Sequence, residues 1–464
     1  MVAFERDAGS FRDRSGEIYS STGRIFRTVN ATAAAEYETL RGRCFYQKAA
    51  TAGFLVGATE IDLSLFDGRT EDVRYLIEHP RLDFISYPYE WSFAQLKAAA
   101  LLHLDFQLFA FDLGVVLSDA SAYNVQFVGS RPIFIDLLSF RCYRDGEYWS
   151  AHGQFCEQFL NPLLLRSICG VPHNAWYRGN LNGIPSAELS RLIPVRKKFS
   201  KTVLLNVILP SRLQQAAKSK DLPATAGGMK KLPQHVYRRM LATLRRYIDG
   251  LEPADKEAGD WQDYAENNSY AADEAELKKQ AVLRFVRERQ PECLWDLGCN
   301  TGAYAEAAIG AGARRVIGFD RDLASLDKAF RRAREHSLPF IPLYLDAANP
   351  SPAQGWNAAE RKGLEHRGNC DAILALAFVH HLAIGRNVPL DWVIEWITGL
   401  SPRGLIEFVP KDDPTICKML AFRQDIFPDY SEAAFEAALG KRARICYVET
   451  ISRTGRKIYC YEKA

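Results

Sequence analysis

No apolar run in this 464-residue chain is long and clean enough to cross a bilayer. The most apolar stretch, Leu96–Leu117, contains Lys97, His103, Asp105 and Asp112, whereas a spanning helix needs about 20 mostly apolar residues. Met1–Arg14 lacks the apolar core of a secretory signal and carries Glu5, Arg6, Asp7, Arg12, Asp13 and Arg14 instead. The ten cysteines contain no CxxC pair, and the closest two are Cys293 and Cys299. That argues against a zinc site and predicts reduced, mostly buried thiols in a cytoplasmic protein. Neither charge sign dominates: 59 Lys and Arg stand against 56 Asp and Glu, for a net +3. Overall charge therefore gives no reason to expect nucleic acid as a partner. With 47% hydrophobic and 25% charged residues and no internal repeat, disordered, collagen-like and coiled-coil chains are excluded. What remains is a globular chain whose length favours two domains of roughly 200 residues each.

Composition marks the boundary. Between Arg196 and Arg246 there are thirteen Lys or Arg residues and one acid, Asp221. Within it, Lys218–Pro233 is rich in small residues, Pro and Gly-Gly, which reads as a mobile loop. Val236, Met240, Leu241, Leu244 and Ile248 then recur at helical spacing. The expected division is 1–210, a basic linker and helix over 211–255, and 256–464. The basic run is either a solvated surface or a dock for an anionic or nucleic-acid partner.

From Glu274 onward the pattern alternates helix and strand. Helix Glu274–Arg289 precedes an apolar strand Glu292–Leu297. Further strands are expected at Arg315–Asp320, Phe340–Leu345, Ala372–Ala377 and Gly404–Val409. Alternation of this kind builds βαβ units and a parallel sheet. The runs Ala443–Thr450 and Lys457–Glu462 read as an antiparallel hairpin at the sheet edge.

The most informative segment is Leu294-Trp-Asp-Leu-Gly-Cys-Asn-Thr-Gly-Ala-Tyr304, at a strand-to-helix turn. Gly298 and Gly302 are four apart and follow Asp296, which is not the GxGxxG spacing of a nicotinamide enzyme. An acid ahead of the turn suits a ligand carrying a cationic amine and a sulfonium. Asp320 closes the next strand, where a carboxylate can accept from both ribose hydroxyls. Asp346 closes the third and can accept from an adenine amine.

These residues resemble class I S-adenosylmethionine-dependent methyltransferases, over about Trp261–Ala464. The resemblance implies a doubly wound, seven-stranded, Rossmann-like α/β sheet with a reversed last hairpin, and no metal. It assigns Asp296, Gly298 and Gly302 to the motif around the methionine part of S-adenosyl-L-methionine, Asp320 to the ribose, and Asp346 with Ala347 to the adenine. Cys299, Asn300 and Arg321 are further expected cofactor-binding residues. In Ala375–Leu382, His380 or His381 is a candidate general base, since an imidazole near pKa ~6.5 suits that role; either can instead be a packing residue. Glu407, with Lys411 and Asp412, is expected at or near the mouth as a further catalytic or acceptor-binding candidate. Trp261–Tyr264 and Asn268–Tyr270 read as a lid or as a packed helix.

In the first half, Asp119 and Asn124 are five apart, and Asp136 lies twelve further on, past an expected β-hairpin. Phosphoryl transfer needs an acid to orient a hydroxyl, plus Asn and Asp to hold magnesium. Residues 15–200 thus resemble the α+β protein-kinase and aminoglycoside-phosphotransferase superfamily, with Mg-ATP as the implied ligand. The departures are a missing histidine before Asp119, Leu-Leu after Asp136, no glycine-rich loop and no strand lysine. Arg24 or Arg27, opposite Glu36 or Glu38, is the candidate replacement, although a guanidinium fork is not equivalent to an ammonium.

The full chain resembles bacterial nodulation methyltransferases of the NoeA type, through Ser86–Ser92, Asp119–Asn124 and Ile135–Ser139. That implies methyl transfer to a hydroxyl of a carbohydrate or another small-molecule or cell-envelope acceptor. A bifunctional kinase–methyltransferase, and a nucleic-acid or protein methyltransferase docked through 196–246, are the alternatives. Nothing in the sequence indicates oligomeric state.

Overall fold

The computed structural model describes residues 3–68, 71–212, 231–254, 272–368, 370–421 and 424–463. The chain divides into two units. The first comprises Met1–Phe127, Pro132–Lys256 and Ala353–Lys362, the second Val128–Arg131, Glu257–Pro352 and Gly363–Ala464. The aromatic segments expected as a lid, and most of Lys218–Pro233, lie outside the described residues. All ten cysteines are free, four of them buried and two exposed, so burial is less general than the sequence suggested.

The first unit opens with an antiparallel sheet of β1 (Glu5–Arg6), β2 (Ile18–Ser21), β3 (Arg24–Asn30), β4 (Thr59–Ile61) and β5 (Val73–His79), ordered β1-β2-β3-β5-β4. The helix Phe93–Asp112 follows. Its start is set by a reciprocal cap in which Ser92 Oγ accepts from Gln95 N–H and the Gln95 side chain accepts from Ser92 N–H. Four short strands come next: β6 (Val115–Leu117), β7 (Val125–Val128), β8 (Arg131–Phe134) and β9 (Phe140–Cys142). β6 pairs with β9 and β7 with β8. The helix Gln234–Asp249 is no free linker. Tyr237, Leu241, Leu244 and Ile248 are buried, and Arg245 holds Asp105 on helix Phe93–Asp112 through bonds of 2.8 and 3.1 Å.

The second unit contains a seven-stranded sheet of β10 (Leu294–Leu297), β11 (Val316–Asp320), β12 (Phe340–Tyr344), β13 (Ala372–Ala375), β14 (Arg403–Phe408), β15 (Arg444–Thr450) and β16 (Lys457–Glu462). The order is β12-β11-β10-β13-β14-β16-β15; β10 to β14 run parallel and β16 is antiparallel to both neighbours. Helices cover the parallel strands, which explains why β10 and β13 are buried at every position and read as apolar runs. Strand order reverses between β10 and β13, so a crevice opens at their carboxyl ends, where sheets of this kind take ligands.

Candidate active site

The crevice is a cleft of about 640 Å³ within the second unit. Its floor is the turn after β10. Gly298 (φ +78°) and Cys299 both donate backbone N–H to Phe319 O, at 2.8 and 3.0 Å, which draws the turn across β11. Gly302 (φ +80°) starts helix Ala303–Gly310, and a Cβ there would stand 2.6 Å from Phe340. Only glycine fits both the backbone and the space. Asp320 fixes the turn from the next strand: Oδ2 accepts from Asn300 N–H at 2.7 Å and Oδ1 from Asp322 N–H at 2.8 Å.

Gly298, Cys299, Asn300, Asp320, Arg321, Asp346 and Ala347 all line the cleft. Asp346 also accepts from Ala348 N–H at 3.2 Å and pairs with Arg386 at 3.1 Å. Asp296 lies beneath the turn, fully buried, and its Oδ2 has no hydrogen-bond partner among the described residues. Burial, then repulsion from Asp320, pushes the Asp296 carboxyl up to about 7, against an opposing pull from Lys278. Burial likewise pushes Asp320 up to about 6, although backbone N–H donors favour its charged form. The floor thus holds two carboxyl groups whose ionisation is costly without a cationic or donor-rich ligand.

The two histidines differ in access to the cleft, although their ring centroids lie 4.2 Å apart. Both lie on the short helix Val379–Ala383, with the two rings tilted against each other by 37°. His381 lines the cleft; burial and Arg456 push its pKa down to about 4, so its imidazole is neutral at neutral pH. His380 is fully buried, lies outside the cleft lining, and has no hydrogen-bond partner on either nitrogen among the described residues.

Glu407 does not reach the mouth. It is fully buried, with Oε2 2.6 Å from Lys278 Nζ and accepting from Ala377 N–H at 2.9 Å, and Oε1 3.5 Å from Arg456. Ala377 has φ +49° and lines the cleft beside Phe378, so Glu407 holds a strained piece of wall. Lys278 and Arg386 are cleft residues that sequence reasoning missed. Lys278 is the more buried of the two. It sits on helix Ala272–Arg289, in helical register with buried Ala281, Val282 and Phe285, and reaches the cleft over the Tyr304 ring. A lysine on the buried face of an amphipathic helix was the available signal.

The first unit brings Asp119, Asn124 and Asp136 together as the spacing predicted. Asn124 Nδ2 donates to Asp119 at 3.0 Å, to Asp136 at 3.5 Å and to Ser139 Oγ at 3.2 Å. Burial, then Asp136, raises the Asp119 pKa. Arg27 meets Asp136 at 2.8 Å and also bonds Asp13. The expected arginine–glutamate pair on the following helix does not form. Arg24 pairs with Glu78, Glu36 accepts from Cys142 N–H, and Glu38 accepts from Tyr75 Oη–H. Among the described residues, no group of three or more His, Cys, Asp or Glu side chains is placed to hold a metal ion.

Over 462 residues the chain is 47% identical to the nodulation protein NoeA of Rhizobium meliloti (strain 1021), an alignment covering 99% of this chain and 96% of that protein. The chain belongs to the NoeA family. No protein-family model matches it. Among solved structures, the N-methyltransferase NodS from Bradyrhizobium japonicum WM9 superposes with a TM-score of 0.31 at 12% identity, covering 41% of this chain and 96% of NodS. Magnesium protoporphyrin IX methyltransferase (ChlM) from Synechocystis PCC 6803, solved with bound SAH, gives a TM-score of 0.30 at 18% identity, covering 41% of this chain and 86% of ChlM.

Proposed function

We propose that the second unit is a Rossmann-like, S-adenosylmethionine-dependent methyltransferase. Its acceptor is a hydroxyl of a carbohydrate or another small-molecule or cell-envelope compound, met in the cytoplasm. The observation that carries this reading is the set of three carboxylates, Asp296, Asp320 and Asp346, at the ends of three adjacent parallel strands around one glycine turn. The residues fit the ligand. The partnerless Oδ2 of Asp296 calls for a donor or a positive charge, and Gly298 leaves open a space that a side chain would fill beside Phe378. Asp320 would accept from the ribose hydroxyls, and Asp346 with Ala347 would hold the adenine. S-adenosylmethionine, when bound, supplies a methyl group on an electron-poor sulfonium.

The chain's own residues supply alignment and a base. Phe378, Leu382 and Met419 form an apolar wall that keeps water from the reacting line, and holding acceptor and donor in line supplies most of the rate. His381, neutral and facing the cleft, is the candidate acceptor of the hydroxyl proton. With burial and Arg456 holding its pKa at about 4 it is a weak base, so alignment carries more of the rate than proton removal. His380 backs it, and Glu407 positions the Ala377 wall and Lys278. The test is mass spectrometry of cell extract treated with the full chain and isotopically labelled S-adenosylmethionine. Label on carbohydrate or another small compound is expected. Label confined to protein or nucleic acid would replace this acceptor class, and no incorporation would overturn the reading.

For the first unit we infer a kinase-like module without phosphoryl transfer. What favours this is Arg27, whose guanidinium already neutralises Asp136, the carboxylate that a Mg-ATP site would need free. Phosphorylation of an acceptor by the wild-type chain, abolished in Asp119→Asn, would overturn it in favour of a bifunctional enzyme.

A further inference from the structure

We propose that residues 191–212 of the first unit form a docking surface for an anionic lipid bilayer. Seventeen large hydrophobic side chains are exposed among the described residues, and five of them fall in this short segment. They are Leu192 (50% exposed), Val195 (68%), Phe199 (77%), Leu205 (50%) and Leu209 (39%). Single exposed apolar residues are ordinary; five within one short segment mark an interaction site.

The segment is anchored from the other side. Ile193, Val203, Val207 and Ile208 are buried, so the short helix Val195–Lys198 and the helical stretch from Lys201, which is π-helical over Leu204–Ile208, are tied to the unit. Val195 and Phe199 are four apart, as are Lys201, Leu205 and Leu209, so each set rises on one exposed side.

Charge decides between occupants. Arg191, Arg196, Lys197, Lys198, Lys201 and Arg212 are interleaved with these apolar side chains, and no acid occurs between Glu188 and Arg212. Apolar side chains that insert at the headgroup boundary, flanked by cations, are what an anionic membrane surface binds. Nucleic acid would use the cations but would gain nothing from Leu192, Val195, Leu205 and Leu209, which offer neither stacking planes nor donors. A second copy would place like charges against each other. The binding is peripheral: no helix among the described residues is long and apolar enough to cross a membrane.

The test is flotation of the full chain with vesicles of phosphatidylcholine plus phosphatidylglycerol, and with vesicles of phosphatidylcholine alone, at low and high salt. Wild type is expected to float with the anionic vesicles and to lose most binding at high salt. Phe199→Glu should weaken binding roughly tenfold. The triple variant Arg196→Gln, Lys197→Gln, Lys201→Gln should weaken it roughly a hundredfold. Because all four positions are on the surface, circular dichroism and the urea midpoint should match wild type. Trp392→Glu, at an exposed position of the second unit, should bind as wild type does. No flotation of wild type, equal binding to both vesicles, or unchanged binding of the variants would overturn the proposal. So would a dimer that Phe199→Glu converts to monomer while neither form binds vesicles.

Discussion

The two units each bury acids around an asparagine-containing turn, yet they balance the charge in opposite ways. In the first unit Asp136 has Arg27, Ser139, Asn124 and the Leu138 N–H around it, and Asp119 is held by Ser121 and Asn124. That cluster is satisfied by its own chain. In the second unit Asp296 keeps an oxygen without a partner, Asp320 lies close enough to raise its pKa, and a cleft opens above them. The difference narrows to one atom. Arg386 meets Asp346, backbone N–H groups hold Asp320 and Lys278 pulls on Asp296, yet the Asp296 oxygen beside the cleft stays without a partner among the described residues, and the proposed ligand would answer it.

That contrast can be broken most forcefully at the carboxylate that is both buried and paired. Glu407→Ala removes the anion 2.6 Å from the buried Lys278 Nζ, while Arg456 keeps Asp413 at 2.7 and 2.8 Å, so the loss falls mainly on Lys278 and should cost about 3 kcal/mol. The urea midpoint of the second unit's transition would report it, and Asp136→Ala should cost less because Arg27 retains Asp13. A smaller Glu407 effect would mean that water enters the site.

Next in size is pH. Asp296 has a folded pKa of about 7, above its unfolded value, so the folded state binds that proton more tightly and loses stability as pH rises toward 7. Asp296→Asn should therefore be more stable than wild type near pH ~8 and lose that advantage near pH ~4. Affinity for a cationic ligand should run the other way and weaken as pH falls from about 7 to about 5. Calorimetry across that range measures it, and a flat profile would separate the ligand from both acids.

The smallest effect belongs to the first unit. Asp119→Asn keeps an oxygen for Ser121 N–H but sets an amide donor against Asn124 Nδ2, so stability should fall by about 1 kcal/mol while methyl transfer is unchanged. A large loss of methylation would tie the two units functionally.

Positions governed by local pattern were legible in the sequence. Asp296, Gly298, Gly302, Asp320 and Asp346 follow from strand ends and a glycine turn. Strand β10 forms inside the run read as Glu292–Leu297, and β16 spans Lys457–Glu462 as read. Partners distant in sequence were not legible. Lys278 on helix Ala272–Arg289 meets Glu407 on β14, Arg27 reaches Asp136 rather than a helix glutamate, and Arg386 comes to Asp346. Which of His380 and His381 faces the cleft depends on the phase of one short helix, which no spacing rule fixes in advance. The exposed apolar side chains at 192–209 were hidden because alternation with cations looks the same whether the apolar side is covered or open.

The measurement that bears most directly on the central claim is titration calorimetry of the full chain with S-adenosylmethionine, in wild type and in Asp320→Ala. Asp320 presents its carboxylate to the cleft at the end of β11, and each bond to a charged acceptor contributes about 1.5–3 kcal/mol. The account predicts saturable binding to wild type and a loss of ~2 kcal/mol, roughly thirtyfold in Kd, in the variant. No binding to the folded wild-type chain, or an unchanged Kd in Asp320→Ala, would contradict it.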